Sequence, residues 1–152
     1  MLFRSVGSGG VGSAIAASLA SAGVATMGLH DVRTQSMEGL GQRLSKHCPD
    51  LVIKTGSNDP DGYDIVINAT PLGMAEGDTM PVDVSRIMPD SFVGEVVMKH
   101  EMTAFLAAAK ARGCSIQVGI DMLFEQIPAY LEFFGFPTTT PDNLRALAQI
   151  SY

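Results

Sequence analysis

The chain has 152 residues, the length of one domain; 46% of them are hydrophobic and 17% are charged. This composition fills a core and excludes a mainly disordered chain. The net charge of −6, with no basic run, excludes attraction to a phosphate backbone, so we expect no nucleic-acid partner. No apolar stretch reaches about 18 residues, so we expect no membrane span. Cys48 and Cys114 form no CxxC pattern, which favours a reduced, cytoplasmic setting and no metal site.

Apolar strands and helical segments alternate along the whole chain. The strands are continuously apolar, which is typical of a parallel sheet that is buried on both faces. We therefore predict an α/β fold, a Rossmann-like doubly wound parallel sheet with helices on both faces. In chain order, the predicted elements are a strand at 2–6, a helix up to 22, a strand at 24–30, a helix at 34–46, strands at 51–55 and 64–68, one helical turn at 84–87, a strand at 92–97, a helix at 102–112, a strand at 115–118, a helix at 121–134 and a last helix from 140.

We expect these elements to form one domain over residues 1–152. The helices from about residue 121 are expected to pack back on the sheet. Within them, an apolar face at helical spacing predicts burial, and it comprises Met122, Leu123, Ile127, Leu131 and Phe134. Arg4 is an unusual residue for the interior of a parallel strand.

A glycine-rich segment joins the first strand to the first helix. Gly7, Gly9 and Gly12 form a G-x-G-x-x-G pattern between strand and helix, and Asp31 follows about 20 positions later. In such a turn the second glycine lets a pyrophosphate approach the backbone, and the helix N-terminus stabilises its charge. The pattern predicts nucleotide binding, although glycine-rich turns also occur for packing reasons alone.

Asp31 ends the second predicted strand, where a carboxylate accepts hydrogen bonds from an adenosine ribose and repels a 2′-phosphate. We therefore expect NAD as the coenzyme. Arg33 and Thr34 follow closely enough to receive a 2′-phosphate, so NADP is the alternative. Asp31 and Arg33 are also compatible with an ordinary solvated turn.

Several segments together resemble the shikimate/quinate dehydrogenase family, in its C-terminal NAD(P)-binding domain. The specific motif is Asn-Ala-Thr-Pro-Leu-Gly-Met at 68–74. The other segments, which follow the family's order, are Gly-Ser-Gly-Gly at 7–10, Thr103 with Leu106, and Gly-Ile-Asp-Met-Leu-Phe-Glu-Gln at 119–126.

The resemblance implies a coenzyme site and part of a substrate site. The residues it implies for the coenzyme are Gly7, Ser8, Gly9, Gly10 and Val11 at the pyrophosphate, Asp31, Val32 and Arg33 at the adenosine ribose, Thr70 and Val96 along the coenzyme, and Gly119 at the nicotinamide amide. Gln126 would reach the hydroxyl groups of a cyclic polyhydroxy acid. Met98 would also lie at the substrate, where the family usually has a tyrosine.

Members of this family also have an N-terminal domain that carries the catalytic lysine and aspartate, and no segment here corresponds to it. The resemblance therefore implies catalytic residues outside this chain, which is expected to be a fragment, a truncated product or the partner of another chain. We assign no catalytic role to the Lys99-His100 pair that follows Met98.

The leading functional prediction is the coenzyme-binding part of an NAD(P)-dependent oxidoreductase that acts on a ring alcohol or ketone. One alternative is a non-catalytic dinucleotide-binding or sensing module. Another is a subunit that needs a partner chain or forms a homodimer, because apolar residues are dense near the C-terminus. These residues are Tyr130, Leu131, Phe133, Phe134 and Phe136.

Overall fold

The computed structural model describes residues 1–150, in which six parallel strands form one sheet in the order β3-β2-β1-β4-β5-β6. The predicted doubly wound parallel sheet is confirmed. The strands are β1 (Leu2–Val6), β2 (Thr26–His30), β3 (Val52–Thr55), β4 (Ile65–Asn68), β5 (Phe92–Glu95) and β6 (Ser115–Gln117). The helices are α1 (Gly10–Ser21), α2 (Thr34–His47), α3 (Ala104–Ala111), α4 (Gly119–Phe133) and α5 (Pro141–Leu147), with a short 3-10 turn at Val84–Arg86.

The core has two parts, one on each face of the sheet. On one face, Phe3 and Leu29 of the central strands pack with residues of α1 and α2. On the other face, Val66 and Val93 pack with α3 and with the segment that joins β4 to β5. Because both faces are covered, the strands are apolar on both sides, as their sequence indicates.

Arg4 is buried in the middle of β1, at 4% exposure. Its guanidinium lies 4.2 Å from the centre of the Tyr63 ring, and it donates hydrogen bonds to the Tyr63 hydroxyl and the Ser57 carbonyl. The paired residue on β2 is Gly28, where a Cβ would collide with the guanidinium. A glycine and a tyrosine therefore accommodate the cation that the strand pattern alone does not explain.

Several predicted boundaries shift by one or two residues, and three of them lie at the carboxyl end of β5 and at the starts of the two helices that follow it. β5 ends at Glu95, two residues before the predicted end. α3 begins at Ala104, because the Thr103 side chain accepts a hydrogen bond from the Leu106 N–H and caps the helix. α4 begins at Gly119, two residues before the predicted start. Gly119 packs so closely on Val97 that a Cβ would collide with the Val97 carbonyl.

The predicted buried face is wrong: none of its five residues is buried, and Met122, Leu123, Ile127 and Leu131 are only half-buried on α4. Phe124 is its buried large side chain, whereas Phe134 is 69% exposed. The main partner of α4 is the short helix α5, which covers little of its surface. Among residues 1–150, no helix is long and apolar enough to cross a bilayer.

Candidate functional site

Two glycines shape the turn between β1 and α1. Gly7 has a φ of 103°, and a Cβ there would lie 2.5 Å from the carbonyl oxygen of Ala69. A Cβ on Gly12 would collide with the Gly7 carbonyl. Only glycine fits at these positions, so the turn brings α1 directly against the ends of β1 and β4.

The N-terminus of α1 presents backbone N–H groups at the carboxyl edge of the sheet. Gly9 is the N-cap residue, and the first helical hydrogen bond runs from the Ser13 N–H to the Gly9 carbonyl, at 2.8 Å. The N–H groups of Gly10 and Val11 therefore have no partner within the helix. Because the first turn also carries no acidic side chain, it favours an anion.

A cleft of about 850 Å³ opens beside this helix end. It lies beyond the carboxyl ends of β1 and β4, adjacent strands from which the chain continues on opposite faces of the sheet. Ligands of open α/β sheets bind at such a switch point. Ten of the residues predicted for the coenzyme and substrate line the cleft, namely Gly7, Gly9, Gly10, Val11, Asp31, Val32, Arg33, Thr70, Val96 and Met98.

The Asp31 carboxylate ties the end of β2 to the glycine turn. Its two oxygens accept hydrogen bonds from the N–H groups of Ser8 at 2.7 Å and Arg33 at 2.8 Å. Burial acts to raise the pKa of this carboxyl, but the two N–H groups and the Arg33 charge outweigh burial, and the pKa lies below its ordinary value. Asp31 is therefore an anion at neutral pH.

Arg33 lies over the mouth of the glycine turn. Its guanidinium is 3.7 Å from the Asp31 carboxylate, and the Arg33 side chain is 70% exposed. A Cβ built on Gly9 would have only this guanidinium near it, at 3.9 Å. The space in front of Gly9 is thus open to a ligand on the cleft side.

The turn after β4 is fixed by Asn68, which is fully buried. The Asn68 side-chain oxygen accepts hydrogen bonds from the Thr70 N–H at 3.1 Å and the Thr70 hydroxyl at 2.6 Å, and its amide donates to the Leu72 carbonyl at 2.9 Å. The Thr70 hydroxyl also accepts from the Leu72 N–H at 3.1 Å. The motif at 68–74 therefore forms a rigid wall of the cleft.

The loop that follows this turn is held by a second carboxylate. Asp78 accepts hydrogen bonds from the N–H groups of Ala75 at 3.0 Å and Gly73 at 2.9 Å. These bonds lower the pKa of the Asp78 carboxyl. The loop then passes along the cleft at Thr79 and Met80.

The part of the cleft beside β4 and β5 is mainly apolar. Its walls include Leu72, Met74, Val96, Val97 and Met98, and Lys99 stands at their edge. Within the described chain, the titratable side chains that line the whole cleft are His30, Asp31, Arg33 and Lys99. The cleft thus combines the bare N–H groups of the α1 N-terminus at one end with an apolar surface at the other.

Three predicted site residues do not line the cleft. Ser8 is buried behind the turn and contributes its N–H to Asp31. Gly119 is buried against Val97. Gln126 is exposed on α4, where its side-chain oxygen accepts a hydrogen bond from the Tyr130 hydroxyl at 3.1 Å.

Among the cleft residues that sequence reasoning missed are His30, Asn58, Thr79, Met80 and Pro81. His30 is the last residue of β2, so its place at the carboxyl edge was available from the strand pattern. The others lie on loops that meet only in the fold, where the Asn58 amide donates to the Pro81 carbonyl at 3.1 Å. No local pattern signals that contact.

No protein-family model matches the chain. Among curated proteins, the shikimate dehydrogenase (NADP(+)) of Jannaschia sp. (strain CCS1) is 30% identical over 149 residues, covering 92% of this chain and 51% of that protein. The quinate/shikimate dehydrogenase (NAD(+)) of Corynebacterium glutamicum (strain R) is 32% identical over 136 residues, covering 86% of this chain and 48% of that protein. The chain belongs to the shikimate/quinate dehydrogenase family. The resemblance found in the sequence motifs is confirmed.

Solved structures agree with this family assignment. The quinate dehydrogenase from Corynebacterium glutamicum in complex with NAD superposes with a TM-score of 0.83 at 30% identity, covering 95% of this chain and 53% of that one. The ligand-free 5-ketofructose reductase of Gluconobacter sp. strain CHM43 gives 0.81 at 26% identity, covering 93% of this chain and 52% of that one. The chain is homologous to the NAD(P)-binding domain of shikimate/quinate dehydrogenases and spans about half the length of the relatives it matches.

Proposed function

We propose that this chain binds NAD(H) in the cleft and forms the coenzyme-binding part of a shikimate/quinate-type dehydrogenase. The observation that carries the proposal is the bare N-terminus of α1 at a cleft on the sheet's switch point. The open space in front of Gly9 fits a pyrophosphate, since no protein atom fills it. A bound nicotinamide would take a hydride from a ring alcohol in its oxidised form, or give one to a ring ketone in its reduced form.

The roles of the chain's own residues follow the cleft from one end to the other. The N–H groups of Gly10 and Val11 hold the pyrophosphate charge. Asp31 lies beside the adenosine ribose, with Val32 and Arg33 on the exposed side of the cleft. The turn at 68–74 orients the nicotinamide half, and the apolar surface around it excludes water.

The ring substrate is proposed from the relatives, which are named as shikimate and quinate dehydrogenases. Of the two substrate residues predicted from the sequence, Met98 lines the cleft and Gln126 does not. Gln126 is proposed to contact the ring hydroxyls from α4, where its exposed amide is free to exchange the Tyr130 bond for a ligand.

NAD(H) is proposed to bind more tightly than NADP(H). Asp31 is anionic at neutral pH and sits at the ribose position, so it repels a 2′-phosphate. The relatives include both NADP(+) and NAD(+) enzymes. If Arg33 instead turns toward a 2′-phosphate, NADP(H) binds more tightly than NAD(H). Calorimetric titration with NADH and NADPH measures which of the two binds more tightly.

The test of the proposal is a titration of NADH into the protein and two leucine variants. Gly9→Leu places a side chain in the pyrophosphate space, where the backbone is extended and the fold tolerates it. Ala14→Leu is the matched control, because Ala14 is exposed on the same helix outside the cleft. We expect the wild type and Ala14→Leu to bind and folded Gly9→Leu not to bind. Retained binding in Gly9→Leu would contradict the proposal.

A second candidate function is a dinucleotide-binding or sensing module without chemistry of its own. The same bare α1 N-terminus supports it, since holding a dinucleotide there needs no reacting group. Because the resemblance places the catalytic residues outside this chain, the two candidates differ in an assay of this chain joined to the N-terminal domain of a shikimate/quinate dehydrogenase, supplied with NAD⁺ and shikimate or quinate. Coenzyme binding with no reduction of NAD⁺ supports the module, whereas turnover supports the dehydrogenase.

A further inference from the structure

Glu95 is a buried carboxyl group that the proposed function does not use. It is the last residue of β5 and is only 4% exposed. One of its oxygens, Oε2, accepts a hydrogen bond from the Thr103 hydroxyl at 2.9 Å. The other oxygen, Oε1, is closed off from solvent and has no hydrogen-bond partner among the described residues. Burying such a group costs stability, so its position calls for an explanation.

On one side, Glu95 meets the residue that shapes the wall of the cleft. It pairs with Asn68 across β4 and β5. Burial raises the pKa of the Glu95 carboxyl. The polar side chains of Thr103 and Asn68 act to lower this pKa, but by less than burial raises it. Asn68 in turn holds Thr70 and Leu72 through the three hydrogen bonds described above.

On the other side, Glu95 meets the start of α3. The Thr103 hydroxyl that donates to Glu95 also accepts from the Leu106 N–H at 3.3 Å, as the cap of that helix. Gly73, in the loop after β4, packs on the Thr103 side chain, at 3.4 Å from a Cβ built on Gly73 to the Thr103 methyl. Glu95 thus lies between the turn at 68–74 and the helix that follows the 96–99 segment.

We propose that Glu95 is the positioning residue for the nicotinamide end of the cleft. Because Glu95 lies opposite Asn68 in the strand pairing and is hydrogen-bonded to Thr103, it sets the separation of the two segments that form the apolar walls, 68–74 and 96–99. Among the described residues, Glu95 has no hydrogen bond to the α1 N-terminus, so we expect its influence to be confined to one half of the cleft. This inference rests on the proposed function, since it assumes that NAD(H) occupies the cleft.

The test compares two ligands that differ by the nicotinamide nucleoside, namely NADH and ADP-ribose. In Glu95→Ala we expect the NADH affinity to fall about tenfold or more, the loss of roughly one buried hydrogen bond. The ADP-ribose affinity is expected to stay within about twofold of the wild type. Glu95→Gln keeps the side-chain length and an acceptor for Thr103, so it restores NADH binding to within about threefold.

The matched control is Ser91→Ala. Ser91 is buried just before the opposite end of β5, where its hydroxyl donates to the Tyr63 carbonyl at 2.8 Å. This variant also loses a buried hydrogen bond but lies away from the cleft, so both affinities are expected to remain unchanged. If Glu95→Ala does not fold, Glu95→Asp replaces it, with the same expected loss of NADH affinity alone.

The possible outcomes separate the two proposals. An equal loss for both ligands, or no loss for either, would overturn the role of Glu95 while the proposed function stands. A wild-type protein that binds neither ligand would overturn the proposed function, and the role of Glu95 with it. A loss of NADH affinity alone in Glu95→Ala, together with NADH binding close to that of the wild type in Glu95→Gln, supports both proposals.

Discussion

At the scale of single residues, Asp31 links the acid stability of the fold to the candidate site. Its lowered pKa means that the folded protein favours the carboxylate. The resulting stability is present above the ordinary aspartate pKa and is lost as the pH falls through the lower pKa of the folded state. The bonds to Ser8 and Arg33 that cause this also hold the glycine turn in place.

Asp31→Asn is therefore expected to destabilise the protein by about 1–3 kcal/mol at neutral pH, the range for hydrogen bonds to charged groups. The difference from the wild type is expected to shrink as the pH falls below the ordinary aspartate range. Urea unfolding at a series of pH values measures it. A difference that stays constant over this range would show that the Asp31 charge contributes no stability.

What the sequence predicts at this scale depends on how local the cause is. Gly7, Gly9 and Gly12 were assigned correctly to a strand-to-helix turn, because their spacing and flanking elements carry the signal. Arg4 was not explained, since its ring partner Tyr63 lies 59 residues away. The buried position of Glu95 was equally invisible, because it depends on the pairing of β4 with β5 and on the contact with Thr103.

At the scale of elements, the contact between β1 and α1 depends on Gly12. A Cβ there would meet the backbone carbonyl of Gly7, which cannot move without disturbing the turn. We expect Gly12→Ala to destabilise the protein by about 1–3 kcal/mol or more, as overpacking does. Thermal unfolding monitored by circular dichroism measures this loss.

The control for this prediction is Gly39→Ala, in the middle of α2. A Cβ on Gly39 meets only the flexible end of Arg43, at 3.4 Å. Alanine favours the helix over glycine, so this variant is expected to gain about 0.5–1 kcal/mol. A stable Gly12→Ala protein would contradict the close packing of β1 and α1.

The start of α5 was predictable from its local capping signal. Thr140 and Pro141 predicted the start of α5, and the Thr140 side chain does cap it, accepting from the Asn143 N–H at 3.2 Å. The exposed face of α4 was not predictable, because the spacing of apolar residues indicates a face without showing whether another element covers it. In the described chain, α5 leaves Phe133 82% exposed.

At the scale of the whole molecule, the central sheet and the C-terminal helices differ in how firmly they are held. The central strands contribute fully buried side chains on both faces, whereas α5 has no buried residue. α5 is attached to α4 through exposed ion pairs of Arg145 with Asp121 and Glu125, which contribute little stability. The molecule is therefore expected to open locally at α5 before it unfolds as a whole.

Hydrogen exchange tests this difference. The amides of β1 and β4 are expected to exchange only on global unfolding, and those of α5 through local opening with a much smaller free energy. Added salt screens the Arg145 pairs and is expected to lower the protection of α5 further. Equal protection in α5 and the central strands would show that the C-terminal helices belong to the same cooperative unit.

The parallel sheet with helices on both faces followed from the alternation of elements, whereas the strand order and the switch point between β1 and β4 are findings of the structure. The width and lining of the cleft did not follow from the sequence either, because they depend on loops such as 79–81 that meet the sheet only in three dimensions. The central claim is accordingly structural: the amide-bearing end of α1 binds the pyrophosphate of a nicotinamide coenzyme.

A crystal structure of the protein with NADH tests this claim most directly. The expected result is a pyrophosphate within hydrogen-bond distance of the Gly10 and Val11 N–H groups, with the nicotinamide between Thr70 and Val96. A coenzyme bound elsewhere, or a cleft closed by Arg33 and the 79–81 loop in the presence of saturating NADH, would contradict it.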